Sequence, residues 1–181
     1  MTGPATPLSP TDLKRLHREW RRRGDQSLGL ILDGVQNPYN VGAIMRSAAA
    51  YRVDRIWLAP PTISPTHPKA AKTALGCERL VTTEEVVDGP AAVAAARSLG
   101  MTVVALELTA AARPLWELPL TGDVCLVAGH EERGVHRSVL AEVDHVGFLP
   151  QRGKVGSLNV AHSVTAGLYE VTRQGWSSGG E

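Results

Sequence analysis

The stretch Leu28-Gly-Leu-Ile-Leu-Asp33 is apolar almost from end to end and stops at an acidic residue followed by Gly34. A strand with one wet face alternates apolar and polar residues, whereas a strand covered on both faces reads as an unbroken apolar run. The same kind of run returns in Arg55-Ile-Trp-Leu-Ala59, Thr102-Val-Val-Ala-Leu-Glu107, Val124-Cys-Leu-Val-Ala128 and His145-Val-Gly-Phe-Leu149, with a further short strand expected near Leu80. Helical stretches lie between them: Val41 to Tyr51, Lys69 to Leu75, the alanine-rich Gly89 to Leu99, a short helix between the last two strands, and a long one from Leu158 to Arg173. This alternation predicts an α/β domain, a mostly parallel sheet flanked by helices.

The chain has 181 residues, 43% apolar and 20% charged, which is enough for one soluble domain and far from disordered compositions. No apolar run approaches the roughly 20 residues of a membrane span, and the N-terminus lacks the order of a secretory signal, so a cytoplasmic location is expected. Cys77 and Cys125 show no CxxC spacing and are expected to be reduced, buried small residues.

The net charge of +1 conceals a local excess. Residues 1–25 hold six basic groups against three acidic ones, while the remainder holds 13 basic and 15 acidic. Within this extension Ser9 or Thr11 can cap a helix with Leu13, Leu16 and Trp20 on one face. Such a helix could lay its apolar edge on the domain and point Arg18, Arg21, Arg22 and Arg23 at a polyanion. A solvated charged face is the equal alternative. The expected division is a basic helical extension over 1–25, the main domain over 26–174 and a flexible tail over 175–181.

In parallel α/β sheets ligands bind beyond the carboxyl ends of the strands. Three loops there stand out: Asp33 to Gly42, Gly129 to Gly134, and Leu149 to Leu158. Gly129-His-Glu-Glu-Arg-Gly134 has the glycine spacing of a phosphate loop, but Val135 and His136 stand where lysine and a hydroxyl residue are needed. No G-x-G-x-x-G follows the first strand, and no G-x-S-x-G elbow is present. The six histidines are scattered, so no metal is expected. At 4% aromatic residues a base-stacking platform is not expected either.

What remains is a set of polar side chains at three strand ends: Asn37, Asn40 and Arg46, then Glu131, then Ser157 and Asn159. Each alone has an ordinary structural use, Asn37 in a turn, Asn40 and Ser157 as helix caps, Arg46 as an exposed helix charge. Gly42, between Asn40 and Arg46, is where backbone could approach a ligand. The joint pattern carries the case.

Asn40-Val-Gly-Ala-Ile-Met-Arg46, Leu126-Val-Ala-Gly-His-Glu-Glu-Arg-Gly134 and Leu149-Pro-Gln-Arg-Gly-Lys-Val-Gly-Ser-Leu-Asn-Val160 resemble, in order and spacing, the three motifs of the SpoU (TrmH-like) branch of the SPOUT superfamily. These RNA methyltransferases carry a methyl group from S-adenosylmethionine to a ribose 2′-hydroxyl. The similarity spans Leu28 to Glu170. Departures are small: the second motif more often has Ser or Asn at His130 and Gly at Glu132, and the third more often begins Ile-Pro-Met.

The resemblance implies a C-terminal deep trefoil knot, one of the rare exceptions to unknotted folds. It also implies a homodimer with the active site at the subunit interface and the last helix against the partner. Val160, Val164, Leu168 and Val171 form a stripe that suits a core or a dimer. By resemblance, Leu106, Gly129, Leu149 and Leu158 supply backbone to the S-adenosylmethionine pocket, with Ser157 beside it. Asn40, Arg46, Glu131, Ser157 and Asn159 match the catalytic and substrate-binding set. The family assigns Arg46 the role of base, yet a guanidinium stays protonated at neutral pH. A phosphate grip that also polarises the 2′-hydroxyl suits its chemistry better. The substrate is expected to be tRNA or rRNA. The alternative from another class is a non-catalytic RNA-binding relative, which would be expected to lose Arg46, Ser157 or Asn159; all three are present.

Overall fold

The computed structural model describes residues 6–178. Seven strands form one sheet: β1 Leu28–Asp33, β2 Arg55–Ala59, β3 Thr82–Glu85, β4 Thr102–Leu106, β5 Arg113–Pro114, β6 Val124–Gly129 and β7 His145–Phe148. Their spatial order is β3-β2-β1-β6-β4-β7-β5, and every pairing is parallel. The helices are α1 Pro10–Arg21, α2 Pro38–Ala50, α3 Pro68–Ala74, α4 Gly89–Ser98, α5 Arg137–Leu140 and α6 Val160–Ser178.

The unbroken apolar runs have the cause the sequence suggests. In β1, Leu30 and Leu32 enter one core with α2, α3 and α6, while Ile31 between them enters a second core with α4 and α5. In β6, Leu126 and Ala128 face the first core, and Cys125 and Val127 the second. The stripe Val164, Leu168 and Val171, with Val160 packed against it, belongs to the first core of its own chain.

Three segments differ from expectation. Near Leu80 the chain makes a 3-10 turn, Cys77–Arg79, and the strand follows at Thr82–Glu85, an edge whose residues are all exposed. The two-residue β5 carries a proline that cannot donate to a ladder, which confines it to the sheet edge and leaves no periodicity to read. The tail expected from Gly175 is helical to Ser178, because Trp176 packs on Trp20 with ring centroids 4.7 Å apart; residues 179–181 lie outside the described residues. Cys125 is buried as expected, but Cys77 sits partly exposed in its turn.

α1 forms where the sequence places it, with Ser9 Oγ accepting from the Asp12 N–H and Pro10 in the first turn. None of its residues is buried; Leu13, Leu16 and Trp20 remain 43%, 38% and 37% exposed. The helix meets the domain through Trp20, against Trp176, and enters neither core. Gly42 also has a different use from the expected ligand approach: a Cβ there would collide with the Ala70 carbonyl and Thr73, so the glycine permits close packing of α2 on α3.

Candidate active site

The carboxyl ends of β1, β6, β4 and β7 stand side by side at the centre of the sheet, where β6 inserts between β1 and β4. The segments that leave β6, β4 and β7 make one cleft of about 200 Å³, and the loop after β1 stands beside it through the contact of Gln36 and Asn37 with Glu131. Leu106, Gly129, Leu149, Ser157 and Leu158, the five expected cofactor residues, all line it, together with Glu131. A larger cleft of about 590 Å³ lies under α1, at the amino ends of β1 and β2. It is the wrong end of a parallel sheet for chemistry, and volume alone does not select it.

Beside the first cleft a chain of hydrogen bonds joins the three motif loops. Asn159 donates from Nδ2 to Asn40 Oδ1 at 2.9 Å, and Asn40 donates from its own Nδ2 to Glu131 Oε1 at 2.9 Å. Glu131 also accepts the backbone N–H groups of Asn37 at 3.0 Å and Gln36 at 3.3 Å. The local sequence accounts for each position. Asn37, not Asn40, caps α2 by accepting from the Tyr39 N–H, and Pro38 fits the first turn. Asn40 is thereby moved inside the helix, 8% exposed. At the start of α6 it is Asn159, not Ser157, that caps, its Oδ1 accepting from the Ala161 N–H at 2.9 Å.

Burial favours protonation of Glu131, but the hydrogen bonds from Asn40 and the backbone outweigh it and hold the carboxyl below the usual carboxylate range. The site thus keeps a fixed anion whose role is to orient two asparagines and the start of α2.

The departures from the family motifs are accommodated. His130 Nδ1 accepts the Glu132 N–H at 3.0 Å, the turn-closing contact a Ser or Asn side chain makes. Glu132 is not among the residues with positive φ, so glycine is not required there. Gly134 is: its φ is +69°, and a Cβ would run into the Glu107 carboxylate. Glu107 closes the loop by accepting the Val135 N–H at 2.8 Å and the Leu108 N–H at 2.9 Å, and it lines the cleft. It carries no motif; an acidic residue ending a buried strand was its one signal. Gln151, standing where relatives more often carry Met, also lines the cleft, and its Oε1 is buried without a hydrogen-bond partner.

Arg46 is the expected residue that is not gathered in. It stands exposed on α2, outside the cleft lining, and makes no hydrogen bond or ion pair to a described residue. On the extension, Arg18, Arg21 and Arg22 are exposed, whereas Arg23 pairs with Glu19 at 2.7 Å and lies 4.0 Å over the Trp20 ring. No helix among the described residues is long and apolar enough to cross a membrane.

The profile of the SpoU rRNA Methylase family matches residues 27–169. A tRNA/rRNA methyltransferase of uncharacterized function from Synechocystis is 34% identical over 83% of this chain and 55% of its own. The 23S rRNA (guanosine-2′-O-)-methyltransferase RlmB of Coxiella burnetii is 32% identical over 85% of this chain and 61% of its own. An AdoMet-bound rRNA methyltransferase from Sinorhizobium meliloti superposes with a TM-score of 0.76 at 26% identity, covering 81% of this chain and 56% of that one. The chain thus spans less than two thirds of each of these relatives.

Proposed function

The chain belongs to the SpoU rRNA methylase family, and from that premise we propose that it methylates a ribose 2′-hydroxyl of tRNA or rRNA with S-adenosylmethionine as donor. The observation that carries this reading is the hydrogen-bonded Asn159–Asn40–Glu131 chain, which ties all three motif loops together at the edge of the cleft.

The cleft suits the donor. Leu106, Leu149 and Leu158 offer apolar faces to a heterocycle, Gly129 and its neighbours offer backbone, and Glu131, Glu132 and Glu107 offer anionic surroundings for a sulfonium. When bound, S-adenosylmethionine supplies an electrophilic methyl group. The protein's task is alignment, because an in-line displacement gains most from holding the reacting atoms at contact distance. Ser157 in the cleft lining and Asn159 beside it face the incoming ribose; Glu131 and Asn40 hold Asn159 in place. Arg46 grips the neighbouring phosphate and polarises the hydroxyl, and the proton passes to water late in the transfer.

Arg46 lies outside the cleft of its own chain, which supports an active site completed by a second copy in a homodimer. The exposed Tyr39 on α2 and Tyr169 on α6, two helices that pack together, suit such an interface. The segment after β7, threaded as the family's trefoil knot, would carry Ser157 and Leu158 into place. The 1–25 extension acts as an RNA-binding element through Arg18, Arg21, Arg22 and Arg23, the last buttressed by Trp20 and Glu19. Cytoplasmic location follows from the RNA substrate. Transfer of label from S-adenosylmethionine to bulk RNA tests the activity, and cofactor binding with no transfer to any RNA would favour a non-catalytic relative.

A further inference from the structure

Three buried side-chain oxygens among the described residues have no hydrogen-bond partner: Glu78 Oε2, Thr109 Oγ1 and Gln151 Oε1. Of these residues only Gln151 lines the proposed cofactor cleft. Buried polar atoms are nearly always paired, so an orphaned acceptor at a cleft calls for a donor from outside the chain. Gln151 follows Leu149 and Pro150 directly off β7, and Leu149 and Leu158 line the same cleft. A flat heterocycle lying against those leucines would turn its polar edge to the Gln151 amide.

A primary amide offers one acceptor and two donors on a single plane. Adenine offers the complement, an exocyclic amine beside a ring nitrogen that accepts, and a glutamine amide reads that edge through two parallel hydrogen bonds. We propose that Gln151 is a specificity-determining residue that recognises the adenine of the methyl donor, its Oε1 accepting from the 6-amino group. This rests on the cofactor assignment made above and adds a polar side-chain contact at the heterocycle end of the pocket, beside Leu149. Thr109 Oγ1 does not compete for the role, since Thr109 does not line the cleft, and Glu78 belongs to the turn after α3, where it pairs with Arg79 at 3.7 Å.

The test is calorimetric binding to the whole chain, without RNA, of S-adenosylhomocysteine and of its 6-deamino analogue, which keeps every other contact. Wild type is expected to prefer the adenosyl compound by about tenfold or more, because a site built to hydrogen-bond a group rejects the analogue lacking it. In Gln151→Met, which keeps side-chain length without an amide, the preference is expected to fall at least about fivefold. Equal binding of the two compounds by wild type, or the same preference in Gln151→Met, overturns the proposal and leaves the cofactor assignment standing. No binding of S-adenosylhomocysteine by wild type overturns both. Equal binding by wild type overturns the proposal even where the variant fails to fold, and a wild-type preference is assigned to Gln151 only by its loss in a folded variant.

Discussion

Asn159 and Asn40, 119 residues apart, meet in a hydrogen bond of 2.9 Å that joins the start of the last helix to the first turn of α2. Each amide uses both ends. Asn159 caps α6 with its oxygen while its nitrogen donates to Asn40, and Asn40 accepts that bond while donating to Glu131. The unit is directional, and removing its middle member strands both neighbours.

Asn40→Ala is therefore expected to cost about 1–3 kcal/mol of unfolding free energy, the usual loss when buried partners are left unpaired. Methyl transfer should fall by more than the stability loss explains, since Asn159 is no longer fixed. Urea unfolding and single-turnover transfer on the same preparation separate the two effects.

Glu131 links this unit to acid stability. Its folded carboxyl titrates below the ordinary value, so the native state binds the proton less readily than the unfolded chain. The stabilisation is complete above the unfolded pKa of about 4.3 and disappears as pH falls through the lowered folded value. The difference in unfolding free energy between wild type and Glu131→Gln should stay level from neutral pH down to about pH 5 and shrink below about pH 4. A difference that grows on acidification would mean that the carboxyl is raised, contrary to its hydrogen bonding.

Arg46 is expected to act on RNA rather than on the methyl donor, because it lies outside the cleft lining. Arg46→Lys keeps the charge and loses the planar fork, so transfer should drop about tenfold or more while S-adenosylhomocysteine affinity stays within about twofold. Near-normal turnover in this variant would remove the bidentate phosphate contact from the mechanism.

Deleting residues 1–25 should leave the domain folded. α1 buries no residue, and its ring contact with Trp176 is worth about 0.5–1.5 kcal/mol. RNA binding should weaken, and the slope of log affinity against log salt should flatten by about 3, as expected when Arg18, Arg21, Arg22 and Arg23 leave phosphates. An unchanged slope would reassign the extension to packing alone.

Much of the fold is legible in the sequence because burial on both faces leaves a direct trace: β1 and β2 are read to the residue. β5 escapes, and β3 is placed near Leu80 rather than at Thr82–Glu85, because an edge strand carries little of that apolar signal. The site residues can be named one by one, but not their contacts, which depend on β6 lying between β1 and β4, an order no periodicity encodes. Asn40 and Ser157 look like helix caps, and the neighbouring Asn37 and Asn159 take that work, which leaves Asn40 free to bridge. Gly42 looks like a ligand-approach glycine and is a packing one. Glu107 belongs to no motif and is visible only once Gly134 is seen against it.

The central claim is methylation of ribose oxygen, and nucleoside analysis of the RNA product tests it most directly. RNA incubated with the protein and methyl-labelled S-adenosylmethionine, digested to nucleosides, should yield the label in 2′-O-methylnucleosides, with less from Asn40→Ala at matched time. Label in a base-methylated nucleoside, or no label in RNA while the cofactor binds, would contradict it.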